Sequence, residues 1–471
     1  MSRRLRTVLA VLAALVAVGS AALVEHRSSQ AFAREPRPGA TTALLTPVLS
    51  PRRLPELLAS NITDTRTREA VQPHLDSALP NTCIIVTNHG RVVVDHGVDV
   101  VEPASTVKLL TARAVLESLD PASRLRTTAE VTDSADDGVI EGDLYLVGGG
   151  DPLLTTPGYE VSFINRDQLK NDFAQLADRV VDSGVRRITG GIVGDDSRYD
   201  QERWVATWPE RYRNQGFVGP LSALTVNDGQ TGYSTDPDSP AENRVPGDPP
   251  VLAAETLRTM LVDRGVSVEG DAVSGSAPSD AAELAVLESV TLRELVGQML
   301  IESDDTTAEL LTKELGLQVS GSGSTAAGIQ AIVDHLTAEG LPIDGLQLTD
   351  GSGLDEGNRI NCDLLAAVLD RPGENSQLEP LLPIAAQNGT LRPRMRRTPA
   401  EGLVAAKTGT LDHVNALAGY ARTPTGGPLT FVYGVVGENQ PRGYVPLDEF
   451  AIALATVPTG PDLAQLSPEQ P

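Results

Sequence analysis

Strand-like runs stand at both ends of this chain and helical runs lie between them, an order that calls for one domain split by an insertion. Near the front, Cys83–Asn88 and Arg91–Asp95 are apolar, β-branched segments parted by His89-Gly90, a hairpin signal. Near the back, Leu403–Lys407, Asn415–Ala421 and Leu429–Val436 read as strands, with a helix expected over Leu447–Val457. Helical spacing marks Thr65–Leu79, where Pro73 is a point of break or kink, then Ser105–Leu116, Thr291–Ile301, Thr306–Leu315, Ala326–Glu339 and Cys362–Leu369. From about Arg124 to Pro278 the character changes. Short strands at Gly142–Val147 and Arg187–Val193, one long helix over Arg166–Asp182 and an irregular, Pro-rich Asn227–Pro250 predict a separate αβ module. The expected class is α+β, with strands and helices of one domain interrupted by that module.

The expected layout follows. Residues 1–24 form a signal peptide or anchor, 25–51 a linker, 52–123 the first part of the split domain, 124–280 the inserted module, 281–458 the second part and 459–471 a tail. Three arginines precede an apolar run from Val8 to about Val24, the pattern of a secretory signal. Cleavage fits after the small residues Ser20, Ala21 and Ala22 or at Ala31-Phe-Ala33. An uncleaved anchor also stands, because the run reaches the lower limit for crossing a bilayer. Either way the bulk of the protein is expected outside the cytoplasm, secreted or held at the outer face of the cell membrane, with membrane contact only through the N-terminal segment.

Composition excludes several classes. The 38 Lys+Arg stand against 63 Asp+Glu, a net charge of −25, which disfavours nucleic acid as a partner. Only six Phe, two Trp and eight Tyr are present, so the core must be mainly aliphatic. Two cysteines, Cys83 and Cys362, rule out a disulfide scaffold and a multi-Cys metal site. In an exported chain they either pair or remain as buried thiols. Lysine occurs only at Lys108, Lys170, Lys313 and Lys407. Codon preference accounts for the bias; given it, a retained Lys marks a place where Arg, which cannot release its proton, does not serve.

Two of those lysines sit in motifs with chemistry. Ser105-Thr106-Val107-Lys108 puts a hydroxyl and an amine three residues apart at a helix start, hence on one face. A hydroxyl is a weak nucleophile until a base takes its proton, and a buried amine can be that base. The bland alternative is an N-capping Ser and a solvated Lys. Lys407-Thr408-Gly409-Thr410 follows strand-like Leu403-Val404, and its cation and hydroxyls suit a substrate carboxylate. Ser303-Asp304-Asp305 lies between two helices, where capping alone would explain it.

Ser-x-x-Lys, Ser-Asp-x and Lys-Thr-Gly in that order form the signature of penicillin-binding proteins and serine β-lactamases. From about Leu79 to Gly437 the chain resembles the class C low-molecular-mass penicillin-binding proteins of the penicillin-binding protein 4 type, exported D-alanyl-D-alanine carboxypeptidases/endopeptidases. The likeness is carried by Pro103–Thr111, Gly142–Asp151, Gly194-Asp195-Asp196, Asp350-Gly-Ser-Gly-Leu354 with Asn358-Arg359, Gly389–Arg392 and Ala406–Leu411. The long stretch between Ser105 and Ser303 fits this branch, which inserts extra domains there.

The resemblance implies a β-lactamase/transpeptidase-like catalytic domain, an antiparallel sheet with helices. It implies Ser105 as acylated nucleophile, Lys108 as its base and Ser303 as proton relay. Lys407, Thr408 and Thr410, with Gly409 giving close approach, would hold the peptide's terminal carboxylate. The backbone N–H groups of Ser105 and Thr410 would form the oxyanion hole. Lys108 is expected neutral at working pH, through burial and the charge of Lys407. The implied partners are peptidoglycan peptides ending in D-Ala-D-Ala, with β-lactams as covalent inhibitors; no cofactor or metal is implied.

One position departs from the pattern: Asp305 replaces the usual Asn. An ionised carboxylate only accepts hydrogen bonds, and beside Lys108 it would hold a proton on the amine. A second reading is therefore a catalytically weak cell-wall-binding protein. A third, a β-lactamase, is disfavoured because no Glu-x-x-Leu-Asn deacylation motif is present. Gly148-Gly-Gly150 lacks the Lys-Ser/Thr of a phosphate loop and reads as a turn; Asp195-Asp196 has no His at ligand spacing. The pentapeptide Gly-x-Ser-x-Gly is absent. His413 is expected at the site rim or in a structural role, and Trp204 and Trp208 in packing.

Overall fold

The computed structural model describes residues 54–133, 137–163, 165–214, 218–232, 245–370, 377–423, 428–437 and 445–458. The expected signal segment, linker and C-terminal tail lie outside them.

In chain order the main elements are α1 (Leu54–Asp76), β1 (Thr82–Asn88), β2 (Arg91–Gly97), α2 (Lys108–Ser118), β3 (Arg124–Val131), β4 (Leu144–Val147), α3 (Ala174–Asp182) and β5 (Ile192–Asp195). Then come α4 (Pro249–Asp263), β6 (Ala272–Ser274), β7 (Ala282–Thr291), α5 (Leu292–Glu302), α6 (Asp305–Ser320) and α7 (Thr325–Ala338). The last are α8 (Cys362–Leu369), β8 (Val404–Leu411), β9 (Val414–Arg422), β10 (Pro428–Val436) and α9 (Val445–Ala455).

The two ends of the chain share one antiparallel sheet, ordered β8-β9-β10-β1-β2. β1 and β10 are buried along nearly their whole length because both faces are covered. On one face Ile84, Val86 and Phe431 pack with Phe450 and Leu454 of α9. On the other, Ile85 and Val432 meet Leu109 of α2, Met299 of α5, Leu311 of α6 and Leu364 of α8. Burying an aliphatic side chain of this size contributes about 1.5–3 kcal/mol, so these two layers fix where the helix starts must lie.

Local signals set the helix ends. Thr291 and Glu294 form a capping box at the start of α5, Asp304 accepts from Thr307 N at 3.0 Å to start α6, and Asn361 caps α8. Cys83 of β1 and Cys362, the first residue of α8, form a disulfide with a Cα–Cα distance of 6.4 Å. This selects the paired alternative.

A second sheet, ordered β6-β5-β4-β3-β7, is parallel on one side and antiparallel on the other. Leu144, Leu146 and Ile192 pack there with Phe173 at the start of α3, Leu176 of α3, and Leu257 and Leu261 of α4.

Three expectations need correction. The helix foreseen from Arg166 starts only at Ala174, because Asn171–Asp172 pairs with Leu154–Thr155 and Asp172 accepts from Ala174 N at 3.0 Å. The single strand Arg187–Val193 is two strands in two sheets. Ile188 pairs with Ile140, whereas Ile192 pairs with Leu144, and Gly191 N donates to Asp143 in the step between. Pro73 does not end α1, which runs through it to Asp76.

Candidate active site

Ser105 lies in a 3-10 turn, Ala104–Val107, that leads into α2. Ala104 holds φ +46°, a conformation that a non-glycine residue adopts only when its surroundings impose it. Those surroundings are two close backbone approaches. Gly353 lies where a Cβ would meet Ala104 O at 2.0 Å, and Gly409 of β8 where one would meet Pro103 O at 2.8 Å. The second brings β8 against the Ser105 turn, with Thr410 half-buried next in the strand.

Lys108, the first residue of α2, is fully buried. Its Nζ donates to Ser105 Oγ (3.1 Å), Asp305 Oδ1 (2.5 Å) and the Ser352 carbonyl (2.6 Å). Three acceptors match the three N–H bonds of an ammonium group. The departure at Asp305 therefore places a carboxyl group directly on Lys108.

Lys407, on β8, is also fully buried and donates to Ser303 Oγ (2.7 Å) and the Thr408 carbonyl (2.7 Å). Ser303 ends α5 in the left-handed conformation, φ +61°, which turns the chain between α5 and α6. Thr408 Oγ1 donates to Thr390 Oγ1 at 3.0 Å. Ser105, Lys108 and Asp305 thus form one hydrogen-bonded group and Lys407 and Ser303 a second, close enough that Lys108 and Asp305 both act on the Lys407 charge, with Thr408, Gly409 and Thr410 next along β8.

Burial dominates the electrostatics. It pushes the Asp305 carboxyl above the usual range, against the pull of Lys108. Burial, with Lys108 adding to it, holds Lys407 well below the ordinary lysine value, and Asp305 opposes the shift.

Glu309 escaped the sequence reading. One turn along α6 from Asp305, it accepts from Gly351 N (3.0 Å) and Ser352 N (2.7 Å) through Oε1, so it holds the loop whose Ser352 carbonyl meets Lys108. Burial and then Asp350 raise its carboxyl to about 8. The only sequence signal was a carboxylate set beside two leucines on a helix. Asp350 in turn accepts from Gly353 N, Asp355 N, Asn358 Nδ2 and Trp208 Nε1. Trp208 therefore serves as a packed strut, within a cluster including Leu221 and Leu310. The Arg213 guanidinium lies over the ring of Trp204. His413 Nε2 lies 2.9 Å from Glu102 Oε2. Among the described residues no group of three His, Cys, Asp or Glu could hold a metal ion.

The pattern of the D-Ala-D-Ala carboxypeptidase 3 (S13) family matches residues 67–252 and 243–451. The chain is 30% identical to a D-alanyl-D-alanine carboxypeptidase of Actinomadura sp., over 81% of this chain and 82% of that one. It is also 30% identical to the carboxypeptidase DacB of Mycolicibacterium smegmatis, over 96% of each. Penicillin binding protein 4 from Haemophilus influenzae superposes with a TM-score of 0.68 at 20% identity, covering 82% of this chain and 98% of that one. The same protein complexed with a β-lactam gives 0.63 at 20% identity, covering 81% and 97%. The expected α+β transpeptidase-like fold is the one the chain adopts.

Proposed function

The chain belongs to the D-Ala-D-Ala carboxypeptidase 3 (S13) family and is a serine peptidase, and from that premise we propose that it cleaves peptidoglycan stem peptides ending in D-Ala-D-Ala through an acyl-enzyme on Ser105. The observation that carries the reading is the pair of lysine–serine contacts, Lys108 to Ser105 at 3.1 Å and Lys407 to Ser303 at 2.7 Å, near enough to each other that Lys108 shifts Lys407.

In this reading Lys108 takes the Ser105 proton as Oγ attacks the penultimate carbonyl. The backbone N–H groups of Ser105 and Thr410 receive the oxyanion, each donor worth about 10²–10³ in rate. Ser303 passes a proton to the departing amine, while Lys407, Thr408 and Thr410 hold the terminal carboxylate. Water then releases the acyl group. Asp305 must carry a proton, or turn away, for Lys108 to act as base; burial of its carboxyl favours the protonated form. β-Lactams would open on the same hydroxyl, and cross-linked peptides would be cleaved by the same steps.

The reading includes export: three arginines before the Val8–Val24 run support a secretory signal or anchor, and the Cys83–Cys362 bridge suits an oxidising compartment. A second reading, a catalytically weak wall-binding protein, is favoured by the 2.5 Å Lys108–Asp305 ion pair. Incubation with a labelled penicillin, followed by intact mass over time, separates them. A stable adduct on Ser105 supports the peptidase, rapid turnover a β-lactamase, and no adduct the non-catalytic protein.

A further inference from the structure

Glu102 and His413 meet beside the Ser105 turn although 311 residues separate them, with His413 Nε2 2.9 Å from Glu102 Oε2. Glu102 stands three residues before Ser105, and His413 three residues after Thr410. The contact therefore joins the two segments that carry the Ser105 and Thr410 N–H groups.

Glu102 is 5% exposed, and His413 is its one side-chain hydrogen-bond partner among the described residues; its Oε1 has none. Arg359 Nη1 lies 4.0 Å away and donates instead to the carbonyls of Glu356 and Asn358. A buried carboxylate with a single partner is strongly tied to it, because losing that partner leaves the group unsatisfied. Burial raises the Glu102 carboxyl above its usual value, and the His413 bond is foremost among the contacts that hold it down. An ionised carboxylate only accepts, so His413 Nε2 donates to it.

Both ends of this bond are anchored. The His413 carbonyl accepts from Gly437 N at 3.0 Å, which ties the β8–β9 turn to the end of β10. Glu102 leads into Pro103, whose carbonyl accepts from Thr106 Oγ1 at 2.7 Å, and into Ala104 with its φ of +46°. The Ser105 turn and the β8 segment therefore touch at two points, Gly409 against Pro103 and His413 against Glu102. One point of contact lets a strand pivot, whereas two fix its angle. Thr410 lies between Gly409 and His413 in the chain.

We propose that His413 is a positioning residue: through Glu102 it clasps the β8–β9 turn to the Ser105 turn and so sets the spacing of the Ser105 and Thr410 N–H groups. The inference rests on the reading above, in which those two groups receive the oxyanion. Their spacing counts when charge develops on the carbonyl oxygen. Initial binding leans instead on Lys407 and the threonine hydroxyls, so loss of the clasp slows the reaction at saturation and leaves the first complex as tight as before.

Single-turnover acylation of the full-length chain by benzylpenicillin, followed by rapid quench and intact mass over a range of concentrations, separates those two quantities. His413→Leu is expected to lower the saturating rate constant by about tenfold to a hundredfold, short of the loss of a donor removed outright, with the dissociation constant of the first complex unchanged. His413→Gln, whose amide can donate from the same place, should restore most of the rate. Glu102→Leu should match His413→Leu, and the double variant should fall no further than either. The rate constant is read only on molecules that acquire the adduct, so misfolded chain lowers the amount of adduct and not the constant. An unchanged constant in His413→Leu, no recovery in His413→Gln, a loss of affinity in place of rate, or independent losses in the double variant each overturn the clasp while the parental chain still labels. A parental chain that takes up no penicillin refutes the peptidase reading, and the clasp falls with it, having no oxyanion to serve.

Discussion

Lys108 Nζ and Asp305 Oδ1 are 2.5 Å apart, although 197 residues separate them, and the same amine is 3.1 Å from Ser105 Oγ. In the proposed mechanism the amine that takes the Ser105 proton is therefore tied to a carboxylate at the position where the motif pattern has an amide. Replacing Asp305 by Asn keeps the shape and removes that charge. Asp305→Asn takes the carboxyl group off the Lys108 amine and is expected to raise the rate of penicillin acylation at pH 7. Stopped-flow acylation rates check it; a fall would mean that Asp305 takes part as a proton acceptor.

Lys407 yields a prediction about pH. Its ammonium form is the one that anchors a carboxylate, and burial makes that form give way well below the ordinary lysine range. The charged form is present below this depressed value and lost as pH rises through it. KM for a D-Ala-D-Ala peptide should therefore climb with pH before ordinary lysines titrate. Calorimetry in buffers of different ionisation enthalpy should show a proton taken up on binding.

Glu309 links the site to stability. Its carboxyl is raised from 4.5 to about 8, so between those limits the folded chain holds a proton that the unfolded chain has released. Stability from this group is full below about 4.5 and is lost as pH rises through about 8. Glu309→Gln, shaped like the protonated acid, should abolish that decline, seen as melting temperatures that diverge from the parent toward pH 8. Glu309→Leu strands two buried N–H groups, at about 1–3 kcal/mol each.

A methyl group at Gly409 would lie 2.8 Å from Pro103 O and 3.3 Å from Ala104 Cβ. Gly409→Ala should push β8 away from the Ser105 turn and part the Ser105 and Thr410 N–H groups that the proposed mechanism gives to the oxyanion. Loss of one such donor lowers rates about 10²–10³-fold. The acylation rate constant should fall by about that much, while circular dichroism at 222 nm stays parental.

Much of this was legible because the elements carry their own boundaries. α8 occupies Cys362–Leu369, the range its apolar spacing marks, with Asn361 as cap. The terminal strands differ from expectation by only a few residues, for alternation and β-branching survive any tertiary context. The inserted module was less legible. Nothing within Arg166–Asp182 announces that Asn171–Asp172 will pair with Leu154–Thr155, and a ladder seventeen residues away overrides helical spacing. At the site, motif spacing pointed to Ser105, Lys108, Ser303 and Lys407, which the fold brings near one another, but could not show that Asp305 touches Lys108. Glu309 was invisible because its partners are backbone N–H groups from a remote loop, which no side-chain pattern encodes.

The Cys83–Cys362 link spans 279 residues of chain. Every element from β2 to α7, including the whole second sheet, lies inside the ring it closes. A single protease cut in any loop of that ring would leave both fragments covalently joined. Such a nick would pass unseen on a non-reducing gel and separate into two bands only after thiol treatment, so a clipped enzyme could keep its cleft assembled long after its backbone is broken.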